Sequence, residues 1–173
     1  VARLSRESRW LRWLPEQGVV GLTGSTALLG HGAWADGRLG AGSASTVLLN
    51  DYLRIADFVG LDRGARFRKL AELGDEAARY LETALVEATG RFSNVIVLTH
   101  VPPFAETTWH EGGASDVEWL PHFACKAVGD VLLRVMRRRP DCTATVLCGH
   151  SHGEGELRKL DNLTVLTGGA VYG

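Results

Sequence analysis

What this sequence lacks narrows the reading before any motif is considered. No apolar run in its 173 residues exceeds a handful, whereas a membrane-spanning helix needs about twenty. A transmembrane helix is therefore excluded, and no signal peptide is visible. Cysteine is scarce: Cys125, Cys142 and Cys148 form an odd set without C-x-x-C spacing. They read as small buried side chains and reduced thiols, which points to the cytoplasm. An excess of one charge is also absent, since nineteen basic side chains face twenty acidic ones. Without a basic field, neither nucleic acid nor an anionic membrane is indicated as a partner. The glycine-heavy stretch to Ser45 contains neither G-x-G-x-x-G behind a strand nor G-x-x-x-x-G-K-[ST], so it reads as loop and not as a phosphate cradle.

What is present is histidine in an ordered setting. Thr145-Val146-Leu147-Cys148 is an apolar, β-branched run that stops at Gly149 and delivers His150 and His152 one residue apart. Such a run bounded by glycine predicts a buried strand with both histidines on the loop leaving it. Upstream, Asn94 to Thr99 has the same construction and ends on His100. Pro102 and Pro103 lack amide protons, and so force the chain out of any ladder just after that histidine. Neutral imidazole is the commonest metal ligand, and ligands gather outside the carboxyl ends of parallel strands. His100, His150 and His152 can converge as metal ligands if the two strands point the same way.

The rest of the chain reads as an α/β protein with no repeat, linker or low-complexity tract. A helix is predicted over residues 4–14, ended by Pro15, and then two short strands joined by a Thr-Gly-Ser-Thr turn. His31, Trp34 and Asp36 lie within reach of the site, although a strand histidine bonded to backbone or solvent is the more ordinary reading for His31. Residues 51–90 show a helical pattern, with predicted breaks near 60–64 and at Gly74 and a left-handed cap at Gly90. The aromatic, glycine-bearing loop 104–115 follows His100 immediately, and its Trp109, His110 and Glu111 are candidate substrate-binding residues. Ser115 to Glu118 has the S-x-x-E pattern of a helix start, with Pro121 in the first turn. The buried stripe that follows makes His122 a structural histidine. Glu154–Leu160 and Leu163–Thr167 form a predicted hairpin turned at Asp161-Asn162.

Thr99-His100-Val101-Pro102-Pro103, followed some fifty residues later by Gly149-His150-Ser151-His152, resembles the last two motifs of the calcineurin-like metallophosphoesterases. The resemblance covers roughly residues 75–170. It implies a two-sheet α/β sandwich flanked by helices, and a dinuclear centre of divalent manganese, iron, zinc or nickel. His100 and His150 would hold one ion and His152 the other, and the substrate would be a phosphate ester. The family's earlier motifs (Asp-x-His, Gly-Asp-x-x-Asp and Gly-Asn-His-Asp or Glu) are not in this chain, and with them go the bridging carboxylate and the general acid. No acid is therefore assigned. Residues 1–173 are expected to be the C-terminal part of one such domain, partnered by an N-terminal half and inactive alone. Two alternatives stand beside this: a non-catalytic scaffold of the same fold, and a mononuclear histidine-ligated metal hydrolase.

Overall fold

The apolar runs form strands: β1 (Val20–Gly21), β2 (Thr26–His31), β3 (Asn94–Thr99), β4 (Trp109–His110), β5 (Gly113–Ala114), β6 (Thr143–Cys148), β7 (Gly155–Leu160) and β8 (Leu163–Thr167). Six of them make one mixed sheet in the order β1-β2-β3-β6-β8-β7, and β4 and β5 make a small second sheet. This computed structural model describes residues 1–110 and 112–171. The four central strands are parallel, while the edges β1 and β7 are antiparallel. The β7 edge carries Glu156, Arg158 and Lys159, charges that discourage edge-to-edge pairing.

The two faces of the large sheet differ. Ala27, Leu29, Val95, Val97, Ala144, Val146, Leu163 and Val165 are buried on one face beneath two helices, α4 (Arg63–Arg91) and α6 (Lys126–Met136). Leu81, Leu85, Val128 and Leu132 from those helices join the same core, and burying each such side chain contributes roughly 1.5–3 kcal/mol. On the opposite face the register aligns Gly30, Leu98, Leu147 and Leu166 in one row. That row is only partly covered, with Leu147 37 % exposed. The short helix α2 (Leu14–Gln17) lies over its Gly30 end, where a Cβ would sit 3.0 Å from Leu14 Cδ1.

Three helix boundaries depart from the sequence reading. The first helix divides into α1 (Ala2–Glu7) and α2. Between them, Ser8 Oγ accepts from the amides of Trp10 and Leu11, and Ser5 Oγ accepts from Trp13. These bonds offer the backbone an alternative to the helix, and Pro15 opens α2 instead of ending a helix. After α3 (Asp51–Arg54), α4 begins where Asp62 accepts from the Ala65 amide at 2.7 Å and runs unbroken through Gly74 and Gly90. Gly74 is there for packing, since a Cβ would come within 2.5 Å of Asp36 Cβ. Ser115 starts no helix. Its hydroxyl donates to Thr108, and Asp116 takes the amides of Glu118 and Trp119, so that α5 (Leu120–Phe123) begins later.

Candidate functional site

β3 and β6 lie side by side and parallel, so both release their histidines at the same edge of the sheet. The His100 and His150 rings meet edge to face with centroids 4.7 Å apart. Trp34 stacks on His100 at 5.6 Å and tilts against His150 at 5.1 Å. His100, His150 and His152 line one cavity of about 450 Å³, together with His110, Asn50, Asp51, Leu48, Leu49, Trp119 and Phe123.

The histidine turn is strained. His150 and His152 have φ of 71° and 69°, a left-handed conformation that costs a non-glycine residue on the order of 1–3 kcal/mol and persists only where its surroundings enforce it. Here β4 and the C-terminal segment do so. His110 Nδ1 donates to the Ser151 carbonyl at 3.0 Å, Gly153 donates to Trp109 O at 2.8 Å, and Ala170 donates to His152 O at 3.0 Å.

Protonation follows from burial and bonding. Burial, with His100 nearby, pushes His150 down to about 4. Burial also lowers His100, against the opposing pull of the Asp51 carboxylate. Both rings are thus favoured in the neutral form that binds metals. The His122 carbonyl accepts from His150 Nε2 at 3.1 Å, and an acceptor there requires the proton on Nε2. The lone pair of His150 is therefore on Nδ1. By the same logic His110 is protonated on Nδ1.

As a donor set, the cavity fits a transition metal in kind but is not closed in geometry. Neutral imidazoles suit such ions, and His100 and His150 are in contact. Among the described residues, however, no three His, Cys, Asp or Glu side chains are grouped closely enough to hold an ion. Asp51 is the one carboxylate on the wall among the described residues.

The remaining candidates are scattered. His110 lines the cavity, whereas Trp109 packs on β7, where a Cβ at Gly155 would overlap its indole. Glu111 lies outside the described residues. His31 Nδ1 accepts from the Ala33 amide at 3.0 Å, so it is a strand histidine satisfied by backbone. Asp36 is buried, where it accepts from the Ala127 amide in the first turn of α6 and pairs with Arg38. It is a helix cap. His122 is fully buried, bonded through Nδ1 to Tyr52 and through Nε2 to Ser45.

Sequence reading did not anticipate Asn50, Asp51, Trp119 and Phe123 on the cavity wall. The available signal was Asn-Asp directly after the apolar Val47-Leu48-Leu49, the composition of a helix start. Nothing local aims it at residues fifty to a hundred positions away.

No family model matches the chain, and no curated protein matches it. Among solved structures it is similar to a dimetal phosphatase from Danio rerio, with a TM-score of 0.47 and 13 % identity. That likeness covers 87 % of this chain and 48 % of the other, so the chain spans about half of that protein's length. No helix among the described residues is long and apolar enough to cross a membrane.

Proposed function

We propose that this chain supplies the C-terminal histidine ligands of a dinuclear metal centre that hydrolyses a phosphate ester. His100 and His150 would hold one divalent ion (manganese, iron, zinc or nickel) and His152 the other. The observation that carries this reading is the contact of His100 with His150 at the carboxyl edge of parallel strands, with His152 lining the same cavity. When bound, such a pair of ions supplies an acidified water and offsets charge on the phosphoryl oxygens. The chain's own part is to present neutral nitrogen donors. His150 offers Nδ1 because its Nε2 proton is committed to the His122 carbonyl, and the strained turn aims His150 and His152 from one loop.

The same reading assigns the general acid and the bridging carboxylate to an N-terminal half of the domain. Its sheet would pack on the partly covered row of Leu98, Leu147 and Leu166 and complete the two-sheet sandwich. The three cysteines are free, in keeping with the cytoplasmic location proposed from their number. Because no three-donor group is closed among the described residues, a non-catalytic scaffold has support of its own, and a site for a single ion is the remaining alternative.

Elemental analysis of the full-length protein, paired with hydrolysis of p-nitrophenyl phosphate in manganese, separates these readings. Two ions per chain with turnover are expected. One ion would favour the mononuclear site, and two ions without turnover the scaffold. Undiminished turnover after chelation and dialysis would end the metal reading altogether.

A further inference from the structure

We infer that the Trp119–Phe123 wall of the cavity is a subsite for a planar aromatic leaving group, so that the preferred substrate is an aryl or nucleoside phosphate ester. This rests on the phosphoesterase reading and deepens it. The cavity has two unlike ends. At one end stand His100, His150 and His152. At the other, Trp119 and Phe123 stack with centroids 5.2 Å apart and planes 27° from parallel, with the His110 ring against both at 5.6 and 5.3 Å. Phe123 is buried, so the accessible aromatic surface there is that of the partly buried Trp119. Phe123 meets His150 edge-on at 5.4 Å, so the apolar shelf begins where the proposed metal ligands end. A group attached to a phosphorus beside His150 would therefore come to lie over these rings.

The cavity keeps apolar surface accessible. Trp119 is only partly buried, and Leu48, which lines the same cavity, is 53 % exposed. An exposed leucine and a partly buried indole lining a cavity of about 450 Å³ are apolar surface in a concave site of small-molecule size. The Trp119 backbone is held by Asp116, whose Oδ1 accepts from the Trp119 amide at 3.1 Å. Asn50, Asp51 and His110 are polar groups lining the same cavity, and among the described residues no Lys or Arg lines it. A flat ring bearing N–H donors finds acceptors there. Stacking on an aromatic side chain is sequence-tolerant and gives a ring what a polyol cannot obtain.

Three monoesters test this in the metal-loaded full-length protein: adenosine 5′-monophosphate, phenyl phosphate and glycerol 3-phosphate. Trp119→Ala is expected to raise KM for the two aromatic esters roughly fivefold or more relative to glycerol 3-phosphate, the lower end of what loss of one stacking partner does. Trp119→Phe, which keeps a ring, should recover most of that loss and guards against a folding defect in the alanine variant. A larger effect on adenosine monophosphate than on phenyl phosphate would identify the nucleoside as the source of the ring, and equal effects a simple aryl group. Binding of free adenosine and phenol, followed by tryptophan fluorescence in the His152→Ala protein, reads the shelf without catalysis. If the wild type hydrolyses none of the esters, the phosphoesterase reading fails and this binding alone decides the subsite. The proposal is overturned if the KM ratio moves less than twofold in Trp119→Ala, or if neither free ring binds.

Discussion

His122 and His150 are alike in basicity and unlike in everything around them. Burial holds each near 4, and the two touch, since the His122 carbonyl accepts from His150. At His122 both nitrogens are engaged inside the protein. Ser45 Oγ donates to the Glu118 carbonyl at 2.7 Å, so it accepts from His122 Nε2. The Tyr52 hydroxyl then donates to Nδ1 at 2.7 Å, with its own pKa pushed up by burial. His150 has one nitrogen committed to backbone, sits in a left-handed turn and lines the cavity. A depressed histidine is thus a poor sign of function by itself, because structural networks produce it too. Backbone strain at a cavity wall is what separates the pair.

The largest effect should come from breaking the cavity side of this comparison. His150→Ala or His152→Ala in the full-length protein is expected to lower metal affinity and ester hydrolysis by more than the roughly 10- to 100-fold typical of an outer-shell change. Metal content and turnover, measured together, check it. Near-normal values in both variants would show that these histidines are not ligands.

The buried side should fail in a different way. His122→Phe leaves the Tyr52 hydroxyl and the Ser45 network each short of a partner, and such a group costs about 1–3 kcal/mol. Denaturant unfolding should show a loss of about 2–4 kcal/mol. Metal binding should survive, because His150 is anchored on a backbone carbonyl that the substitution retains. A variant as stable as the wild type but metal-free would reverse the roles assigned to the two residues.

How far this contrast was legible in the sequence depends on range. The strands ending in His100 and His150 could be read because apolar runs and the adjacent Gly149 and Pro102 are local signals, and parallel pairing then made the histidines neighbours. The buried stripe also marked His122 as structural. Gly74 misled because glycine usually interrupts a helix, and its reason here is the approach of Asp36 from a distant loop. Trp109 read as a candidate substrate-binding residue and Trp119 did not. The difference is tertiary: β7 offers Gly155 as a seat for the Trp109 indole, while Asp116 turns the chain so that Trp119 reaches the cavity.

pH sharpens the comparison further. His122 titrates near 4 in the fold and near 6.5 when unfolded. Between those values the unfolded chain binds the proton first. The contribution of neutral His122 is therefore fully present above about pH 6.5 and is lost progressively as pH falls toward 4. The wild type should lose stability across that window, by roughly 3 kcal/mol at most from this residue. His150 adds a loss of the same sign. Subtracting the His122→Phe curve isolates the first term, and parallel curves for the two proteins would mean that His122 is not held neutral.

The smallest effect tests the strain itself. His152→Gly and His152→Ala both remove the imidazole, so they should lose metal equally and differ only in backbone. At φ 69° alanine keeps the Cβ clash, which costs about 1–2 kcal/mol in the left-handed region. Glycine escapes that clash but gives up about 0.4–1 kcal/mol through its freer unfolded chain. The balance favours glycine by about 0.5–1 kcal/mol, which in a domain of this size is a rise in Tm of roughly 1–4 °C over the alanine variant. Calorimetry of the two variants without metal reads the difference directly. If alanine proves as stable as glycine, the turn relaxes out of the left-handed region in solution. The bonds from Trp109 and His110 that hold the loop would then be too weak to enforce it, and the site would owe its geometry to the bound ions instead.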